Sequence, residues 1–288
     1  MERIGFIGLG VMGEAMCGNL ARRGRWQVIA HDLRAEPLER LAEDGVTPGS
    51  MTDAAACDLV ITCLPGGDQV RALVLGELLD AMFAGAVLVD MSTSPPDLMR
   101  EIEAAAGEKG VAFADAPIAR TRQAAAEGKL AIMVGASDDT LTRIRPVMET
   151  MGSDVLHCGP VGAGQVIKIL NNMVLFQTVN ALAEAAEIAE GAGLSTGALF
   201  EALKQGSADS FALRAHGMKS LLPRDYPDPA FSVRYAAKDL AYALDMAEAA
   251  GMDAAGADLI RRRFEAAEAA GDGDKYWPVI RETIGDKT

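Results

Sequence analysis

The sequence predicts an α/β domain on a doubly wound, mainly parallel sheet, followed by an all-helical domain, the two joined by one long helix. Three observations carry that reading. Short apolar runs alternate with helical stretches up to about residue 161. A proline-free stretch of helical character follows, and all that comes after it reads as helix punctuated by glycine and proline. At 288 residues the chain is also longer than one core usually supports, roughly 100 to 200 residues, so two domains are expected, 1–161 and 162–288.

The elements follow in order. "RIGFI" is a strand that runs into "GLGVMG", after which "EAMCGNLARRG" is helical and stops at Gly24. Strand "WQVIAHD", helix "PLERLAEDG", strand "CDLVITCL", a helix from near Asp68 and strand "GAVLVDM" come next. Helix "PPDLMREIEAAAGEKG" then leads to three strands, "VAFADAP", "KLAIMVGA" and "DVLHCG". "AGQVIKILNNMVLFQTVNALAEAAEIAEGAGL" would make a helix on the order of 40 Å long. The helical segments "TGALFEALKQG", "SFALRAHGMKSLL", "VRYAAKDLAYALDMAEAAG" and "ADLIRRRFEAAEAAG" complete the chain, with "PRDYPDP" as punctuation.

The composition is that of a soluble globular protein, half hydrophobic and a quarter charged. With 41 acidic against 27 basic residues the net charge is −14, which disfavours nucleic acid and anionic membrane surfaces as partners. A small anionic substrate held by local basic groups is still compatible with it. Cys17, Cys57, Cys63 and Cys158 form no CxxC spacing, and the three histidines show no ligand spacing with them, so no metal site and a reducing cytoplasm are expected. The apolar N-terminal run is interrupted by glycines within a few residues, and no later segment is expected to reach membrane-spanning length.

Gly8, Leu9, Gly10, Val11, Met12 and Gly13 form G-x-G-x-x-G between a strand and a helix, the context that dinucleotide binding requires. The first glycine permits the tight turn, the second lets backbone approach a pyrophosphate, and the third lets helix and strand pack closely. The free N–H groups of the helix terminus face the phosphates. Asp32 ends the second strand, where a carboxylate accepts hydrogen bonds from ribose hydroxyls and repels a 2′-phosphate. NAD is therefore expected ahead of NADP, with Arg34 as a residue that could turn toward a phosphate.

Hydride transfer to a carbonyl needs a proton donor for the developing alkoxide. His31, His157 and His216 read as structural or solvent-exposed rather than catalytic. Lys168 is the better candidate, because the positive end of the long helix and burial together would lower its pKa. Asn172 lies four residues on and projects from the same helical face. A solvated lysine beside a helix start is the alternative reading of the same spacing.

With these residues together the chain resembles the β-hydroxyacid dehydrogenase family, which includes 3-hydroxyisobutyrate dehydrogenases and tartronate semialdehyde reductases. The resemblance rests on "GFIGLGVMG", "DMSTSPP", "DAPIARTRQAAAEGKLAIMVGA", "GAGQVIKILNN" and "KDLAYALD", in that order along the chain. It implies a Rossmann domain and a helical domain with the active site in the cleft between them, and a homodimer or homotetramer. It also implies that Lys168 is the catalytic lysine and Asn172 the asparagine that orients substrate. Leu64 and Pro65 match the loop along the cofactor, Thr93 the threonine near its ribose, and Lys238 the lysine at the nicotinamide end. Without the resemblance, Thr93 or Ser94 would read as a helix cap before the next helix, and Lys238 as a surface lysine.

One stretch departs from the family. Its usual Asp-Ala-Pro-Val-Ser-Gly-Gly reads Asp115, Ala116, Pro117, Ile118, Ala119, Arg120, Thr121 here, so the serine and glycines that hold a substrate carboxylate are gone. The Arg-Thr pair is similar to sulfolactaldehyde reductases, whose arginine binds a sulfonate, and Asn171 matches another sulfonate-binding position of that group. Ala119 and Leu175 differ from the group's glycine and small polar residue. A guanidinium suits a tetrahedral oxyanion as well as a carboxylate, because its planar fork offers several donors. Arg120 paired with a carboxylate such as Glu127, or with a cofactor phosphate, is the alternative, while Arg122 is expected in solvent.

The expected function is thus NAD-dependent interconversion of a small anionic semialdehyde and its β-hydroxy acid. Reduction of 3-sulfolactaldehyde to 2,3-dihydroxypropane-1-sulfonate is the leading case. A carboxylate substrate (tartronate semialdehyde or 3-hydroxyisobutyrate), a catalytically silent NAD-binding scaffold, and imine reduction are the alternatives.

Overall fold

The structure, a computed structural model, describes residues 2–228 and 230–284. Pro229, the last residue of the "PRDYPDP" punctuation, lies outside the described residues. The chain separates into two compact units, residues 1–168 and 169–288.

The first unit is a nine-stranded sheet. Strands β1 (Arg3–Ile7), β2 (Gln27–His31), β3 (Thr47–Pro48), β4 (Leu59–Thr62), β5 (Val87–Asp90) and β6 (Ala112–Asp115) are parallel, in the order β3-β2-β1-β4-β5-β6. Their apolar residues alternate between two cores. Leu59, Ile61, Val87 and Val89 join Met16, Leu20 and Ile144 on one face, whereas Val60 and Leu88 join Val70, Met99 and Ile102 on the other. Both faces are covered by helices, which is why these strands read as unbroken apolar runs.

Beyond β6 the direction changes. Strands β7 (Ile118–Ala119) and β8 (Leu130–Gly135) are antiparallel to one another, β8 is antiparallel to β6, and β9 (Gly152–Gly159) runs parallel to β8. The parallel sheet of the sequence reading therefore carries an antiparallel end.

The helices of this unit include α1 (Val11–Arg23), α2 (Glu36–Ala42), α3 (Met51–Ala55), α4 (Gly67–Leu73), α5 (Leu79–Ala81), α6 (Pro96–Glu108), α7 (Arg122–Ala126) and α8 (Asp138–Met151). A π-helical turn, Val74–Leu78, joins α4 to α5. Sequence reading passes over α3, α7 and α8. The last of these has clear signals: Ser137 caps it by accepting from Thr140 N–H, and Leu141, Ile144, Val147, Met148 and Met151 form its buried stripe.

Helix α9 (Ala163–Gly191) is one continuous element of 29 residues that runs from the first unit into the second. The expectation that no segment reaches spanning length is corrected here: α9 is long and apolar enough by length and composition, with a mean hydropathy of 1.3. Core packing accounts for part of it: Phe176, Val179, Leu182, Ala183 and Ala186 are buried among the apolar residues of the second unit, while Val174 and Ile188 are exposed.

That unit continues with α10 (Thr196–Leu203), a π-helix (Leu213–Leu221), α11 (Val233–Ala249), α12 (Ala255–Ala269) and a 3₁₀ helix (Trp277–Thr283). Phe176 meets the edges of Trp277 and Phe264 at ring separations of 4.8 and 5.4 Å. Arg281 is fully buried, yet it donates to Glu187, Glu190 and the Leu221 carbonyl, so its charge is compensated on every side.

Candidate active site

The glycine turn lies where the sheet order reverses, because β1 neighbours both β2 and β4. Gly8 has φ +98°, which glycine adopts freely, and a Cβ there would overlap the Cys63 carbonyl. A Cβ on Gly13 would overlap the Gly8 carbonyl, whereas one on Gly10 would meet nothing. Gly10 and Val11 are exposed at the start of α1, and no side chain caps that helix. Its first N–H groups are thus presented beside an open backbone, as a pyrophosphate requires.

Asp32 reaches back to this turn. One carboxylate oxygen accepts from Leu9 N–H at 2.6 Å and the other from Arg34 N–H at 2.9 Å and its guanidinium at 3.1 Å. Burial works against ionisation, but these hydrogen bonds outweigh it and hold the carboxyl below its usual range. Arg34 also donates to the Leu9 carbonyl at 2.8 Å, so its guanidinium is folded onto Asp32 and the turn.

The ends of β5 and β6 carry two buried carboxyls. Asp90 accepts from Thr62 and Ser92 hydroxyls at 2.8 and 2.6 Å, and Ser92 Oγ in turn accepts from Leu64 N–H at 2.8 Å. Asp115 accepts from Gly162 N–H at 2.6 Å and Gln165 N–H at 2.8 Å, which anchors the start of α9 to the sheet. Burial pushes the Asp115 carboxyl up to about 7, against those two N–H groups. Gln165 completes the tie, donating to the Ser92 carbonyl at 2.8 Å and accepting from Ser94 N–H at 3.1 Å.

These bonds decide the question of the α6 cap. Pro95 occupies the cap position with no side-chain bond, and Ser94 turns to Asp90 and Gln165 instead. The alternative reading of Thr93 or Ser94 as the cap of this helix therefore fails. Thr93 is half-buried, and Pro65, beyond Leu64, is exposed.

Lys168 follows one turn after Gln165 and is half-buried, so its backbone position is fixed by the same anchor. In the helical unit, buried Asn172 donates from Nδ2 to Asp239 at 2.7 Å and accepts from Asn171 at 3.2 Å. Asp239 also pairs with Lys238 at 3.0 Å, and the Lys238 ammonium lies 5.2 Å from the Tyr242 ring centroid. Leu175 is half-buried against the core of this unit. Sequence reasoning missed Asp239, Asp115 and Gln165. Asp239 stood next to Lys238 in "KDL", and a carboxylate within a mostly apolar helix was the available signal.

Arg120 has φ +91°, a left-handed backbone that one other non-glycine, Arg224, shares among the described residues. Its guanidinium passes over the start of β8, donating to the Lys129 carbonyl at 2.7 Å and Ser153 Oγ at 2.8 Å, and it pairs with Asp154 at 2.7 Å. The carboxylate suggested by sequence, Glu127, is instead engaged by Lys129 and Gln123. Thr121 caps α7 by accepting from Ala124 N–H, and Arg122 is exposed as expected.

Comparison with known proteins agrees with this geometry. The model for the NAD-binding domain of 6-phosphogluconate dehydrogenase matches residues 3–159, and that for the NAD-binding domain of NADP-dependent 3-hydroxyisobutyrate dehydrogenase matches residues 162–277. 2-(Hydroxymethyl)glutarate dehydrogenase of Eubacterium barkeri is 34% identical over 275 residues, 94% of this chain and 91% of its own. The chain belongs to the β-hydroxyacid dehydrogenase family. Within that family, 3-sulfolactaldehyde reductase of Escherichia coli (strain K12) is 32% identical over 289 residues, covering 99% of this chain and 96% of that one. The structure of Mycobacterium tuberculosis 3-hydroxyisobutyrate dehydrogenase with L-serine superposes with a TM-score of 0.90 at 33% identity, over 99% of both chains. As a β-hydroxyacid dehydrogenase the protein is an NAD-dependent oxidoreductase acting on CH–OH groups, and its family uses NAD(P).

Proposed function

We propose that this β-hydroxyacid dehydrogenase interconverts a small anionic semialdehyde and its β-hydroxy acid, with 3-sulfolactaldehyde and 2,3-dihydroxypropane-1-sulfonate as the leading pair. The observation that carries the sulfonate reading is Arg120, a guanidinium on a backbone with a glycine's φ of +91°, at the position where the family pattern has glycine. In this reading the family's neutral carboxylate grip is replaced by a charged fork.

The glycine turn fits a dinucleotide, with open space over Gly10 and uncapped N–H groups beyond it. Gly8 to Gly13, Leu64, Pro65, Thr93 and Lys238 would hold NAD, and Asp32, ionised at the turn, favours ribose hydroxyls over a 2′-phosphate. When bound, the reduced cofactor supplies hydride to the aldehyde carbon. Lys168 donates the proton that the carbonyl oxygen takes up and accepts it in the reverse direction. Asn172, its amide oriented by Asp239, and Asn171 align the substrate, Leu175 lines its chain, and Arg120 with Thr121 holds the anion. Four free cysteines suit a reducing cytoplasm, and a homodimer or homotetramer is the assembly this reading takes from the family.

The test is NADH oxidation with 3-sulfolactaldehyde and tartronate semialdehyde offered in parallel to the wild type, Arg120→Gly and Lys168→Ala. Preference for the sulfonate, lost in Arg120→Gly, is expected. Lys168→Ala should lose turnover by about 10²- to 10⁴-fold while still binding NADH. Preference for the carboxylate that Arg120→Gly leaves untouched would return the chain to the family's carboxylate substrates.

A further inference from the structure

Arg120 does not stand alone. Its Nη1 donates to Ser153 Oγ at 2.8 Å, Ser153 Oγ donates to Asp154 at 2.8 Å, and Asp154 pairs with the other guanidinium nitrogen at 2.7 Å. The result is a closed ring in which Asp154 occupies the place an oxyanion takes on an arginine fork. Hydrogen bonding from Ser153 and the adjacent Arg120 hold the Asp154 carboxyl below its usual range, so it is an anion at neutral pH.

Three features make this pairing exchangeable. Both side chains are substantially exposed, at 38% and 49%, and solvent screens an ion pair in that setting, so the pairing holds the two only weakly. A guanidinium has five N–H donors, more than its bonds to Lys129, Ser153 and Asp154 use. Its backbone sits in a left-handed conformation that is strained for an arginine, and such strain clusters at active sites and ligand clamps.

We propose that Asp154 is the resident counter-ion of Arg120, that the substrate's anionic group takes the guanidinium in exchange for it, and that Asp154 thereby sets the affinity for that group. The proposal rests on the reading of Arg120 as the anion grip. Asp154 acts through Arg120, so it is a positioning residue whose effect falls on substrate affinity and leaves the chemical step alone.

The experiment compares KM and kcat for wild type, Asp154→Asn, Arg120→Gly and the double variant, using NADH and whichever semialdehyde of the panel above turns over best. Glycine is chosen at 120 because it adopts φ +91° without strain. Asp154→Asn should lower KM by up to about fivefold, the factor that 1 kcal/mol represents, with kcat unchanged. The same change in the Arg120→Gly background should do nothing. If Arg120→Gly raises KM while Asp154→Asn leaves it unchanged, Asp154 is no competitor and this proposal falls, with the anion grip intact. If Arg120→Gly leaves KM unchanged, the grip itself fails and the exchange with it. A raised KM in Asp154→Asn together with a lowered Tm would make the ring a structural clip, which also overturns the exchange.

Discussion

Asn172 Nδ2 donates to Asp239 across 2.7 Å inside the helical unit, and this one bond decides which way round the asparagine presents its amide. A carboxylate only accepts, so the Asn172 nitrogen must face it and the oxygen must face away. Asp239→Asn removes that constraint, since an amide partner can donate as readily as accept. We expect kcat to fall and Tm to drop by the equivalent of about 1.5 to 3 kcal/mol, the usual worth of a hydrogen bond to a charged group. Steady-state kinetics with thermal unfolding checks both, and an unchanged kcat would make the contact purely structural.

The glycine turn allows a cleaner separation of fold from binding. A methyl at Gly10 meets nothing, and its φ of −65° suits alanine, so Gly10→Ala should unfold at the wild-type temperature. Under the pyrophosphate reading, that methyl stands where phosphate approaches, and NADH affinity should fall. Gly13→Ala has the opposite signature, because its methyl would enter the Gly8 carbonyl and lower Tm directly. Fluorescence titration with NADH alongside calorimetry reads the pair, and retained NADH affinity in Gly10→Ala would move the cofactor away from this turn.

The turn was legible in the sequence because its chemistry is local: strand, glycines, helix and acid follow one another within one βαβ unit. The same holds for the parallel strands, whose two-sided burial leaves unbroken apolar runs. Helix α8 was missed although its cap and stripe are plain; Pro146 within it is the residue that argues locally against a helix. The roles of Asp115 and Gln165 were out of reach for a different cause. Each acts on residues about 50 to 73 positions away, and no periodicity reports such a pairing. Arg120 was noticed as a departure, but its partner was not: Glu127 is nearer in sequence, while Asp154 is brought beside it by β8 and β9 pairing.

Two buried titratable groups give the units opposite pH dependence. His216 is buried in the π-helix, 2.6 Å from the Tyr276 hydroxyl, and burial lowers its pKa to about 4. The unfolded chain therefore binds more protons between about 4 and its ordinary 6.5, so this group's stability contribution is full above 6.5 and is lost as pH falls toward 4. The shift corresponds to something on the order of 3 kcal/mol. Asp115 runs the other way. Its folded pKa of about 7 lies above the ordinary 3.8, so the folded chain binds the extra proton and stability declines as pH rises through that window. Measuring unfolding of wild type, His216→Gln and Asp115→Asn from pH 4 to 8 isolates each group by difference. The wild-type margin over His216→Gln should grow as pH rises from 4 to 6.5, and the margin over Asp115→Asn should shrink from 4 to 7. A margin over Asp115→Asn that does not shrink would mean that the Gly162 and Gln165 N–H groups hold the carboxylate ionised throughout that range.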